Sequence, residues 1–155
     1  MPWRPRQLSE GGDWKVERMR EGDFLVVRLS DGEDLLEVLK QALKDEGVEA
    51  GLVLGGVGML TQPGIAFYKG GGEYDPIPLK DEVEICALNG NVALADGDIF
   101  IHLHATLGTS SGAAFAGHMT GGKVHMTAEI ALKVVHKRMI RVFDNRTGLR
   151  TLRFE

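Results

Sequence analysis

Sulfur chemistry is almost missing from this chain: 155 residues contain a single cysteine, Cys86. There is therefore no internal disulfide framework and no CxxC motif for metal or redox work, and Cys86 reads as a buried structural thiol. Long apolar runs are missing too. Nothing approaches the ~20 consecutive apolar residues that span a bilayer, and the opening MPWRPRQLSEGGDW has no apolar core of the signal-peptide kind. The expected compartment is the cytoplasm. Positive charge is also in deficit, with 18 Lys and Arg against 22 Asp and Glu for a net charge of −4, which argues against nucleic-acid binding through the overall field. No repeat suggests a solenoid. The glycines Gly55, Gly56 and Gly58 fit neither GxGxxG followed by a helix nor GxxxxGK[ST], so they read as close backbone packing at a bulge or a subunit contact.

The basic residues that are present gather late. From Lys133 onward stand Lys133, Lys137, Arg138, Arg141, Arg146, Arg150 and Arg153 against Asp144 and Glu155 only. They alternate with Ile140, Val142, Leu152 and Phe154, so they read as the solvated face of a sheet, with a basic binding surface as the alternative.

A chain of this length forms one domain with a sizeable core. Residues 1–13, with two prolines and Gly11-Gly12, read as a flexible arm, and 14–155 as the domain. Trp14 to Met19 and Phe24 to Leu29 alternate as strands around a turn at Glu21-Gly22-Asp23. A helix follows, with Ser30 as its cap, Glu33 completing a capping box, Leu35, Leu36, Leu39, Ala42 and Leu43 as its buried stripe and Gly47 as its stop. Ala50 to Met59 reads as a strand leading into a loop, and Gly64 to Lys69 as another strand. Glu82 to Leu88 and Asn91 to Ala95 flank Asn89-Gly90, a two-residue hairpin signal, and Asp96-Gly97 is a further turn. Val124 to Val135, Met139 to Phe143 and Leu149 to Phe154 complete the set. One helix and eight or nine strands joined by tight turns make an α+β domain, a largely antiparallel sheet packed with one main helix.

Four of the five histidines lie between Ile99 and Ile130. In IFIHLHATL the side chains alternate, so Ile99, Ile101, Leu103 and Ala105 face the core while Phe100, His102, His104 and Thr106 face away. Two imidazoles on one strand face repel each other when protonated and are stabilised together by a metal ion. His118, after a Gly/Ser/Ala-rich connection, is a third donor if that connection folds it back over the pair. Three imidazoles suit zinc best, with iron, manganese or nickel as alternatives, and hydrogen-bonded rim histidines as the non-metal reading. His125 shares a strand face with Thr127 and Glu129; Glu129 and His125 are the weak candidates for a general base. His136, beside Lys137 and Arg138, carries no site role.

The order of motifs RLSDGEDLLEVL (Arg28 to Leu39), LVLGGVGML (Leu52 to Leu60), EVEICALNGNVALADGDIFIHLHATL (Glu82 to Leu107) and GHMTGGKVHMTAEIAL (Gly117 to Leu132) resembles the PPC domain, also catalogued as DUF296. The resemblance covers about Arg18 to Val142, and HLHATL with GHMTGG is its most specific part. It implies an α+β domain that assembles as a homotrimer. In stand-alone prokaryotic members it implies a histidine cluster, matched here by His102, His104 and His118. Plant members carry AT-hooks ahead of the domain, but this chain has only Trp3-Arg4-Pro5-Arg6 where Arg-Gly-Arg-Pro would be needed. Where those members have Gly-Arg-Phe-Glu-Ile, used in partner contacts, it has Asp81-Glu82-Val83-Glu84-Ile85. Both departures weigh against specific DNA binding. Two classes of function remain: a metal-binding trimeric module that binds a small molecule or a protein, and a metal-dependent enzyme that activates water.

Overall fold

The computed structural model describes residues 17–80 and 82–155. The expected arm 1–13, the Trp3 to Arg6 segment and the Trp14 start of the first expected strand lie outside the described residues. The elements run β1 (Glu17–Glu21), β2 (Phe24–Ser30), α1 (Leu35–Asp45), β3 (Gly51–Gly70), β4 (Glu73–Ile77), β5 (Val83–Ala95), β6 (Asp98–Gly108), β7 (Ala114–Val134), β8 (Met139–Asp144) and β9 (Leu149–Phe154). Among the described residues, one helix packed on a mostly antiparallel sheet is the α+β class read from the sequence, and the one parallel pairing is Leu94 of β5 with Ile140 of β8.

Four strands do most of the building. β7 pairs with β3, β3 with β5, β5 with β6, and β6 back onto β7, so the ladders close a ring. The outer half of β7 also pairs with β2, which carries β1 beyond it. Inside lie Leu25, Val27 and Leu29 of β2, Leu103 and Leu107 of β6, and Ile130 and Leu132 of β7, all essentially inaccessible to water. Helix α1 packs on β2, β6 and β7 through Leu35, Leu39, Ala42 and Leu43. Each fully buried leucine of this kind contributes about 2 kcal/mol of hydrophobic free energy. Lys40 and Lys44 on the helix also reach Asp98 at the start of β6, at 2.6 and 3.0 Å.

Several local expectations are corrected by this arrangement. The helix cap is Asp34, whose carboxylate accepts from the Glu37 N–H at 3.0 Å. Ser30 instead ends β2 opposite Thr127, although Glu33 does accept from its N–H at 2.8 Å. Gly47 stops the helix as expected: at φ +65° it donates to the Lys44 carbonyl while Val48 donates to that of Leu43, a Schellman ending. Ala50 to Met59 and Gly64 to Lys69 are one 20-residue strand, kept continuous by register shifts near Val53, Gly58 and Thr61. The bulge reading of the glycine cluster fits, because a side chain on Gly58 would meet the Thr127 carbonyl oxygen at 2.3 Å.

Asn89-Gly90 is not a turn. Both lie inside the 13-residue β5, opposite His104 and Leu103. The glycine is required there by a neighbouring strand, since a Cβ on Gly90 would fall 1.9 Å from the His102 carbonyl oxygen. Cys86 is exposed, not buried. Val83 and Ile85 take the inward positions of β5, which leaves Glu84 and Cys86 outside, so strand period overrode the burial preference of the thiol. Among the described residues, no helix is long and apolar enough to cross a membrane.

Candidate metal centre

The site is built from two hairpins. Asp96 and Gly97, with φ of +51° and +81°, form the two-residue turn that sends β5 back as β6. This puts His102 opposite Asn91 and His104 opposite Asn89 on the outward face. Residues 109–113 then reverse the chain, closed by the Thr109 N–H and hydroxyl on the Ala113 carbonyl at 2.9 and 3.0 Å. β7 returns with His118 directly across from His104. His118 thus stands on a strand, β7, and the connection before it folds it back over the pair.

The structure brings His102, His104 and His118 together. Their ring centroids are 5.2, 5.2 and 5.6 Å apart, and one nitrogen from each lies within 4.8 Å of the others. Tetrahedral zinc with bonds of about 2.0 to 2.1 Å would need those nitrogens roughly 3.4 Å apart, a closure that side-chain rotation can supply. The donor set fits a divalent ion on a second count: the buried Nδ1 of His118 has no hydrogen-bond partner, so a lone pair or proton is already unsatisfied there. Tyr74 of β4 packs on the His118 ring at 4.8 Å and Tyr68 on Tyr74 at 5.3 Å.

The fourth wall comes from the β8–β9 hairpin. Arg141 donates through Nη2 to the Asn91 Oδ1 at 2.7 Å and to the His102 Nδ1 at 3.0 Å, and through Nη1 to the Arg150 carbonyl at 2.8 Å. Its guanidinium lies 5.2 Å from the centre of the Phe100 ring. The hairpin is fastened over the site at its far end, where the Tyr68 hydroxyl donates to the Thr147 carbonyl and the Gly72 and Gly148 backbones touch too closely for a side chain on either.

Arg141, Asn91 and Tyr74 are the site residues that sequence reasoning missed. For Arg141 a signal was available: strand alternation places it with Met139, which is buried, and not with the exposed Val142. The other late arginines fit the solvated-face reading: Arg138 pairs with Glu155 at 3.0 Å, Arg146 with Asp144 at 3.1 Å and Arg150 with Asp96 at 2.5 Å, and Arg153 is exposed on β9. Neither weak base candidate reaches the histidines. His125 sits between Asp31 at 3.3 Å and Glu82 at 3.6 Å, and the exposed Glu129 stands beside Arg28 and Val57.

Burial, followed by the nearby Arg141, His118 and His104 charges, holds the His102 imidazole down to about 4, and burial followed by His104 and Arg141 also lowers His118. Both rings are neutral at neutral pH, the form that ligates metal. A consequence for stability follows from linkage. Unfolded imidazoles titrate near 6.5, so below that pH the unfolded chain takes up protons that native His102 refuses, and stability present above about 6.5 is lost as pH falls toward 4. In chelator-treated protein, the urea midpoint should therefore drop between pH 7 and pH 5 by more in wild type than in His102→Asn, whose amide keeps an acceptor for Arg141. An equal drop in both would remove His102 as the cause.

The model of the Plants and Prokaryotes Conserved (PCC) domain matches residues 17–136. The bifunctional protein GlmU of Synechococcus sp. strain JA-3-3Ab is 31% identical over 157 residues, 99% of this chain but 24% of its own length; the chain spans about a quarter of that relative. A metal-containing protein from Archaeoglobus fulgidus has the same fold at a TM-score of 0.75 and 27% identity, over 90% of this chain and 97% of that one. A protein of Bacteroides thetaiotaomicron provisionally described as DNA-binding superposes at a TM-score of 0.82 over 90% of this chain and 97% of its own, and at 22% identity it carries the fold alone.

Proposed function

The chain belongs to the Plants and Prokaryotes Conserved domain family, and from that premise we propose that it is a homotrimeric, metal-binding interaction module in which His102, His104 and His118 hold one divalent ion, zinc by preference. The observation that carries this reading is the convergence of three imidazoles, with one nitrogen of each within 4.8 Å of the others. The metal-containing description of the Archaeoglobus relative supports it. Elemental analysis of protein purified without added metal is the test. About one equivalent of zinc or a neighbouring transition metal per chain is expected, and trace metal only would overturn the assignment.

A module is favoured over an enzyme because a hydrolytic centre needs a base within hydrogen-bond reach of the activated water. His125 is held by Asp31 and Glu82, Glu129 lies along β7 beside Arg28, and among the described residues no carboxylate joins the histidine group. Occurrence as a quarter-length part of a longer relative also suits a module. DNA binding is disfavoured: Arg138, Arg146 and Arg150 face acidic partners and Arg141 faces the histidines, so of the late basic residues only the exposed Lys133, Lys137 and Arg153 are left to release counterions from a duplex. With its one cysteine unpaired, the cytoplasm is the compartment proposed.

The trimer is motivated by the outer sheet face. Across one row the partners run Phe24, Lys133, Leu52, Asn91, His102. Leu52, Leu54 and Val57 on that face of β3 are 43, 48 and 55% exposed, and Phe24 is 52% exposed. An apolar stripe on a sheet is a surface to be covered by another subunit. Light scattering at micromolar concentration should report three chains, and Leu54→Lys should shift the mass toward one; a wild-type monomer would sink the trimer.

A further inference from the structure

The contact between Arg141 and His102 has only one possible sense. A guanidinium carries five N–H donors and no lone pair, so at 3.0 Å the His102 Nδ1 accepts and its lone pair is occupied. A neutral imidazole that accepts at Nδ1 carries its proton on Nε2. As the ring stands, neither nitrogen offers a lone pair to a metal. Loading therefore requires the hydrogen bond from Arg141 to be released, whichever nitrogen then ligates.

Release creates an electrostatic conflict. A divalent ion among the three imidazoles would sit beside a guanidinium that has just lost an acceptor, in a half-buried site where like charges are poorly screened. Arg141 cannot simply withdraw, because the Arg150 carbonyl, Asn91 and the Phe100 ring hold it and the hairpin is fastened at Thr147 and Gly148. Its Nε is already buried without a partner. No carboxylate of this chain, among the described residues, stands in the histidine group to neutralise the pair. The neutralising group must come from outside.

Building on the metal assignment above, we infer that the site binds its divalent ion together with a small carboxylate, one oxygen on the ion and one on Arg141, which exchanges its hydrogen bond from His102 to the incoming anion. A planar carboxylate matches the guanidinium fork and supplies a hard oxygen for the position that three protein ligands leave open. The residue that recognises the anion lies on β8, beyond the span 17–136 that the family model matches.

Calorimetric zinc titration of the full, chelator-stripped chain tests this, with sodium acetate compared against sodium perchlorate at matched ionic strength. In wild type, acetate should tighten zinc binding by about fivefold or more, the usual lower bound for coupled sites. Arg141→Met, which keeps its stem on Phe100, should bind zinc more tightly than wild type in perchlorate and with equal affinity in both salts. Wild-type affinity indifferent to acetate overturns the inference, as does Arg141→Met that binds zinc more weakly in perchlorate, the result expected of a merely structural arginine. If that variant fails to fold, the acetate dependence of wild type decides alone. No zinc uptake by wild type in either salt removes the three-histidine assignment itself, a failure distinct from zinc binding that ignores acetate.

Discussion

Metal-stripped wild-type protein should take up one divalent ion per chain, and His104→Ala should take up none at concentrations that saturate wild type. His104 is the best of the three to replace because it is the exposed member, while His102 and His118 are half-buried. Its loss leaves the core residues on either side, Leu103 and Ala105, in place. Partners of metal ligands one shell out are each worth roughly 10- to 100-fold in affinity, so loss of a ligand itself should exceed about 100-fold. Stability gives an independent readout. Zinc at about 100 times its dissociation constant adds about 2.7 kcal/mol to the folded state, which in a domain of this size raises the melting temperature by roughly 5 to 10 °C. That shift should vanish in His104→Ala while its metal-free melting temperature stays within a few degrees of wild type. Full occupancy in the variant would show that the ion is held elsewhere.

The parts of this molecule that were legible in its sequence are those decided by near neighbours. Alternation in IFIHLHATL separates Leu103 and Ala105, both buried, from the two histidines, and Asp96-Gly97 marks a turn because both residues tolerate positive φ. The apolar stripe of α1 was legible for the same reason. Its cap was not, because Ser30 and Asp34 both precede the helix with an acidic residue three positions on, and the choice between them depends on Ser30 being drawn into β2 opposite Thr127. Pairing across strands is where local reading fails. Asn89-Gly90 has the composition of a hairpin turn, yet the contact that fixes its conformation is made with His102, twelve residues away in the chain. Arg141 is a longer case: only the parallel seat of β8 beside β5, at Ile140 and Leu94, swings its side chain over the histidines. The three-histidine set was visible as a spacing; for Arg141, alternation marks only the strand face it shares with the buried Met139, and it takes the fold to bring that face to the histidines.

Gly90→Ala should be among the most damaging single-methyl substitutions this protein can accept. The added Cβ would fall 1.9 Å from the His102 carbonyl oxygen and 3.0 Å from the Leu103 Cα, so the obstacle is backbone of the neighbouring strand and cannot be relieved by a rotamer change. β5 and β6 must separate around the residues that carry His102 and His104, which weakens the ladder on one edge of the closed ring. Overpacking costs about 1 to 3 kcal/mol, and a rigid backbone clash belongs at the upper end, about 3 kcal/mol, or roughly 10 °C in melting temperature at this size. Gly55→Ala is the matched control on β3, where an added Cβ meets nothing within 4 Å and the backbone is not left-handed; it should change stability by less than about 1 kcal/mol. The clash also acts on the site. Displacing the His102 carbonyl moves its imidazole relative to His118 on β7, so Gly90→Ala protein that remains folded at low temperature should bind zinc more weakly than wild type, with Gly55→Ala unchanged. Urea titration and calorimetry on the two variants decide the matter: equal stability in both would mean that Gly90 is free of the His102 strand, and undiminished zinc affinity in a destabilised Gly90→Ala would separate the strand contact from the metal centre.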